Sequence, residues 1–137
     1  MSEKHTFPSA EWLDKFIELL NANKAYEEAA KTWEGDFVFE ITPDGNLKET
    51  ARFYIDLWHG KCRGGHMLAP GEEKDSAYVY SGKYTNWIKL IEGEIGPIKG
   101  LMTRHFNLKG NMAAVMKAVK AALELVKTAA EVPTEFI

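Results

Sequence analysis

The chain has 137 residues, of which 45% are hydrophobic, 12% aromatic and 27% charged. That length supports one domain spanning residues 1–137 that removes roughly two-thirds of its unfolded surface from water. A formal net charge of −3 with no basic stripe excludes a nucleic-acid binder, which needs clustered cations to displace counterions. The single cysteine, Cys62, excludes an internal disulfide and fits a reducing compartment.

Ser9 stands where a helix N-cap is wanted and Glu11 falls in the first turn, where negative charge suits the helix dipole. Trp12, Leu13, Phe16, Ile17 and Leu20 then recur at helical spacing. Asn21 and Asn23 interrupt the pattern, and Tyr26, Ala29, Ala30 and Trp33 predict a second short helix.

At Phe37 the period changes to two. Phe37, Phe39 and Ile41 share one strand face, and Pro43-Asp44-Gly45-Asn46 closes the strand. Residues 50 to 58 alternate again, with Phe53, Ile55 and Leu57 on one side and Arg52, Tyr54, Asp56 and Trp58 on the other, as an antiparallel partner requires. His59-Gly60-Lys61 makes the next turn. A third strand follows from Cys62 to Leu68, where Gly64 and Gly65 permit a bulge. A fourth strand lies around Tyr78, Val79 and Tyr80. Tyr84, Trp87, Ile88 and Ile91 then fall at i, i+3, i+4 and i+7, one face of a helix that Gly93, Gly96 and Pro97 end.

A last strand is expected over residues 101 to 108, ending at Lys109-Gly110-Asn111. From Met112, the residues Val115, Met116, Val119, Leu123 and Val126 predict one closing helix. Strands flanked by helices at both ends give an α+β sandwich built on one antiparallel-rich sheet.

Between Ser76 and Val126 the order is strand, Trp87-Ile88-Lys89-Leu90-Ile91-Glu92-Gly93, Gly96-Pro97, strand, Lys109-Gly110-Asn111-Met112, and a helix rich in Met, Leu and Lys. This arrangement resembles the sterol carrier protein type 2 family, more weakly back through the Asp36 to Leu57 strands and the N-terminal helices. The resemblance implies a five-stranded sheet covered by helices, with an apolar tunnel between them that relatives use for sterols, fatty acids, fatty-acyl coenzyme A or phospholipids. On this sequence it assigns the tunnel wall to Phe53, Ile55, Trp87, Ile91, Phe106, Met112, Met116, Val119 and Leu123. All nine are apolar, so burial would drive binding. Met102, Met112 and Met116 add unbranched thioethers that reshape at low cost. The resemblance implies non-catalytic binding and transfer of a lipid or fatty-acyl ligand, with no cofactor.

The polar start, Met1-Ser2-Glu3-Lys4-His5, and an ending, Glu135-Phe136-Ile137, unlike the peroxisomal Ser-Lys-Leu type lead to the expectation of a cytoplasmic location. Competing readings rest on other residues. His59, Cys62 and His66 faintly suggest a metal site or Cys-His nucleophile, although zinc asks for about three or four convergent ligands. His105 is expected to be a buried, hydrogen-bonded histidine, with contact to a ligand head group as the alternative. The adjacent pairs Glu27-Glu28 and Glu72-Glu73 are expected to be solvated charge. Lys117, Lys120 and Lys127 share one closing-helix face with Glu124, as either a solvated face or a weak dock for an anionic membrane. An accessory module that presents a lipid intermediate to a partner enzyme stays open beside the carrier reading.

Overall fold

A computed structural model describes residues 3–137. The chain opens with a short strand, β1 (His5–Phe7), and enters helix α1 (Ala10–Ala22) at Ser9, whose hydroxyl accepts from Trp12 N–H at 3.1 Å. The helix buries Trp12, Leu13, Phe16 and Leu20, the stripe its spacing predicts. Asn23 then does two jobs. Its backbone N–H caps α1 on the Leu20 carbonyl, and its side chain accepts from Tyr26 N–H at 3.0 Å to start α2 (Lys24–Ala29). The side-chain amide nitrogen donates to Thr128 Oγ1 at 2.9 Å and Glu124 Oε1 at 3.3 Å, tying this corner to the last helix.

Strands β2 (Phe37–Thr42), β3 (Ala51–Trp58), β4 (Lys61–Met67), β5 (Tyr78–Lys83) and β6 (Phe106–Lys109) form one sheet in the order β4-β3-β2-β5-β6. Every pairing is antiparallel except β2 with β5. Parallel neighbours need a long crossover, supplied by the β3–β4 hairpin and the following loop. The expected alternation appears along β3, where Ala51, Phe53, Ile55 and Leu57 are buried while Arg52, Tyr54 and Asp56 are half-buried. The β3–β4 ladder shifts register between Ile55 and Leu57, opposite the Gly64-Gly65 pair where a bulge is expected. On the other sheet face the Lys74 ammonium sits 4.3 Å over the Tyr54 ring, so part of that face is covered by the loop after β4.

Helix α3 (Tyr84–Ile91) buries Tyr84, Trp87, Leu90 and Ile91. Four features beyond it differ from expectation. Of the three residues expected to end α3 only Gly93 does so, in the left-handed region just past the Glu92 cap, whereas Gly96 and Pro97 begin another helix, α4 (Pro97–Met102), because the fixed φ and missing N–H of Pro97 suit a first helical position. The strand expected over residues 101 to 108 therefore shrinks to β6. Asn111 caps α5 (Met112–Lys117) by accepting from Ala114 N–H at 3.1 Å, the start expected for the closing helix. That helix breaks at Ala118 and resumes as α6 (Val119–Glu131). Finally, β7 (Thr134–Phe136) pairs in parallel with β1 across almost the whole chain, a pairing with no local signal.

Candidate functional site

Between the inner sheet face and the helices lies an apolar cavity of about 90 Å³. The sheet contributes Phe37, Phe39, Phe53 and Tyr80, and α1 contributes Trp12 and Phe16 beside Phe7 of β1. Trp87, Leu90 and Ile91 of α3 and Pro97, Ile98 and Leu101 of α4 close one end. The remaining wall is Val115 of α5 and Ala122, Leu125, Val126 and Ala129 of α6. A second cavity of about 40 Å³ lies beside it and shares Phe37, Val115, Ala122 and Leu125, so the α5–α6 junction covers both.

The lining is carbon throughout. Its three aromatic side chains with polar atoms turn those atoms away: Trp12 Nε1–H donates to Thr134 Oγ1 at 2.9 Å, Trp87 Nε1–H to the Glu40 carbonyl at 3.0 Å, and Tyr80 O–H to the Pro97 carbonyl at 2.8 Å. Each ring thus offers an apolar face inward while its polar group is satisfied elsewhere. Burial pushes the Tyr80 hydroxyl above its ordinary range, and likewise that of Tyr26, with the nearby Cys62 adding a smaller effect there.

The rings also brace one another. Trp12 stacks on Phe16 at 5.5 Å and on Phe53 at 6.0 Å, while Trp87 meets Phe39 at 5.6 Å. Phe106 lies behind this wall, stacked on Tyr80 at 4.8 Å and edge-on to Trp87 at 5.2 Å. Its ring occupies the space above Gly82, where an added Cβ would collide with it.

Of the nine residues the resemblance assigns to the wall, Phe53, Trp87 and Ile91 line the cavity. Ile55 and Phe106 are buried just outside it, Ile55 toward Gly65 and Ile17. Met112, Met116, Val119 and Leu123 are exposed on the outer flank of the closing helices. The reason is rotational. At about 100° per residue, Val115 lies about 80° around α5 from Met112 and Met116, and Ala122, Val126 and Ala129 lie about 70° around α6 from Val119 and Leu123. Both sets are apolar, and the bulkier one draws the eye although the smaller one faces in. Trp12 and Phe16 in the α1 stripe, and Phe37 and Phe39 on one strand face, carried a readable inward signal.

The alternative chemical groups are dispersed. Cys62 is buried with its thiol donating to the Gly64 carbonyl at 3.2 Å, and burial pushes its pKa up, away from the thiolate a nucleophile needs. His59 at the hairpin turn pairs with Glu34 at 2.6 Å, and His66 faces Glu72 at 3.5 Å on the surface. Among the described residues no group of three His, Cys, Asp or Glu side chains is placed to hold a metal ion. His105 is exposed, correcting the expected burial, with Nδ1 at 2.7 Å from Thr103 Oγ1. Glu27 pairs with Lys61 and Glu28 with Lys31, so both carboxylates serve surface ion pairs. Glu72 accepts from Ala69 N–H at 2.9 Å, which with His66 holds its carboxyl below the usual range.

A helix-covered sheet enclosing an apolar cavity defines the class of a small α+β domain with an internal apolar pocket. Comparison makes the class specific. The model of the SCP-2 sterol transfer family matches residues 13–123, and the chain belongs to that family, whose domains are in general non-catalytic lipid binders. The crystal structure of a sterol carrier protein 2 is 34% identical, with 90% of this chain and 97% of that one aligned at a TM-score of 0.82. The solution structure of a conserved hypothetical protein from Thermus thermophilus is 33% identical, covering 98% of this chain and 94% of that one at 0.84. The apo sterol carrier protein 2 of Yarrowia lipolytica, at 24% identity, 86% and 88% coverage and 0.56, shares the fold. A search of curated proteins finds no match. Among the described residues no helix is long and apolar enough to cross a membrane.

Proposed function

We propose that the chain binds a lipid with a long hydrocarbon tail, tail inward and head at the surface, and carries it without covalent chemistry. The observation that supports this reading is the all-carbon lining, in which Tyr80, Trp12 and Trp87 spend their polar groups on protein partners. A buried head group would find nothing to bond to, at a cost of roughly 2–7 kcal/mol. A hydrocarbon tail loses nothing there.

Size sets a second condition. An engineered cavity of about 150 Å³ accepts a single benzene, so 90 Å³ is too small for a full tail. Entry therefore requires the wall to yield, and α5–α6 is the side that yields, because an outward shift of its junction joins the two cavities. A sixteen-carbon tail gains on the order of 12 kcal/mol at ~0.8 kcal/mol per buried methylene. Association costs of ~4–15 kcal/mol offset most of it. Micromolar affinity follows, suited to pick-up and release.

Phe53, Trp87 and Ile91 are the proposed tail contacts, together with Val115 and Ala122 on the moving side. Specificity among tails is loose, since one methylene in an apolar pocket discriminates by only about ten- to two-hundred-fold. Native mass spectrometry of gently purified protein, with titration of a fluorescent fatty acid, tests the reading. One apolar molecule per chain and micromolar, saturable binding are expected. Failure to bind fatty-acid, sterol and isoprenoid probes alike overturns it.

A further inference from the structure

Seven large apolar side chains are exposed among the described residues, and five of them, Met102, Met112, Met116, Val119 and Leu123, fall within residues 102–123 at 39% to 72% exposure. The same stretch is the chain's basic region. From Ile95 to Leu123 there is no Asp or Glu, while Lys99, Arg104, Lys109, Lys117 and Lys120 are all present in a chain of net charge −3. All five cations are exposed, and no carboxylate among the described residues lies within ion-pair distance of them. The next carboxylate along α6, Glu124, is already engaged by Asn23 at 3.3 Å and Lys127 at 3.5 Å.

We infer that the outer side of α4, α5 and the first turns of α6 docks on an anionic lipid bilayer, with the methionines and Leu123 in the interface and the cations at head-group level. Met112 and Met116, and Val119 and Leu123, are each four residues apart and so lie side by side on their helices. Unpaired lysines around exposed methionine and leucine fit an amphipathic surface helix at an anionic membrane. They fit a protein partner poorly, because lysine is depleted from such interfaces. The surface also lies in a meaningful place. Val115 and Ala122 line the cavity from the inner flank of the same helices that carry the docking side chains. Bilayer and cavity are then separated by one layer of helix, the wall that must yield for a tail to enter.

This surface does not depend on the tail-binding reading, since a chain that held no ligand would still dock through it. Co-sedimentation with phosphatidylcholine vesicles, with and without phosphatidylglycerol, tests it on the full chain, with circular dichroism to show that each variant folds. Binding is expected only to the anionic vesicles and is expected to weaken as salt is raised. Lys117→Glu with Lys120→Glu should weaken it by about tenfold or more. Met112→Ser with Met116→Ser should weaken it with its salt dependence intact, and Lys48→Glu, at an exposed lysine between β2 and β3, should leave it unchanged. Equal binding to neutral vesicles, or indifference to both double variants, overturns the inference. So does a dimer in sedimentation velocity that Met112→Ser with Met116→Ser dissolves while vesicles go unbound, since the face would then meet a second copy of the chain.

Discussion

On the sheet side of the cavity stand Phe37, Phe39 and Tyr80, rings in a contact series backed by Trp87 and Phe106, and Phe53, whose ring packs on Phe7 and Trp12. On the other side stand Val115, Ala122, Leu125, Val126 and Ala129, small aliphatic groups on two helices that part at Ala118. Of α6 only Ala121 and Thr128 are fully buried, whereas α3 buries four of its eight residues. The contrast assigns different work to each wall. Stacked rings hold a shape, and a thinly buried, broken helix pair can move from it at small cost.

The largest effect expected from separating the walls is on stability. Trp87→Ala should cost about 3–5 kcal/mol, the range for a large buried ring, read as a drop in the chemical-denaturation midpoint. Leu125→Ala, on the half-buried helix wall, should cost less than half of that; equal losses would erase the distinction. Gly82→Ala comes next at about 1–3 kcal/mol, because the added methyl meets the Phe106 ring. Asn23→Ala should follow at about 1–2 kcal/mol, losing the α2 cap. The same change frees α6 at Thr128, so a fluorescent fatty acid should leave faster in stopped-flow exchange with no matching loss at the sheet wall.

The smallest expected effect is seen only in alkali. The Tyr80 hydroxyl is raised in the folded chain, so the fold favours its protonated form. That contribution is complete below the unfolded tyrosine pKa of about 10 and is lost as pH rises above it toward the folded value. Tyr54, raised to about 12 by burial and by the hydrogen bond it donates to Asp36, adds in the same direction. Stability should therefore fall only above about pH 10, and Tyr80→Phe should lessen the slope of that fall. A pH-independent denaturation midpoint up to about pH 12 would contradict this.

Legibility in the sequence followed the same division. Ser9, the α1 stripe, the alternation along β3 and the spacing of Trp87 and Ile91 are local signals, and each produced the element it predicted. Residues 97–108 carry apolar side chains with no clean period, and a six-residue helix such as α4 is held by distant contacts such as Tyr80 O–H to Pro97 O. The β1–β7 pair joins ends that no window of sequence compares. The break at Ala118 and the rotation of the closing stripe were hidden for another reason. An arc that is apolar on both its cavity and its solvent side has no polar residue to mark which edge faces in.

If the tail occupies the cavity, Ala122 is the residue at which it is most directly displaced, since Ala122 lines both spaces from the yielding wall. In Ala122→Phe the added ring would fill the junction. Titrating a fluorescent fatty acid into this variant should show affinity at least about tenfold weaker than in the parent chain, with the denaturation midpoint little changed. Undiminished binding by a folded Ala122→Phe protein would mean that the ligand sits elsewhere.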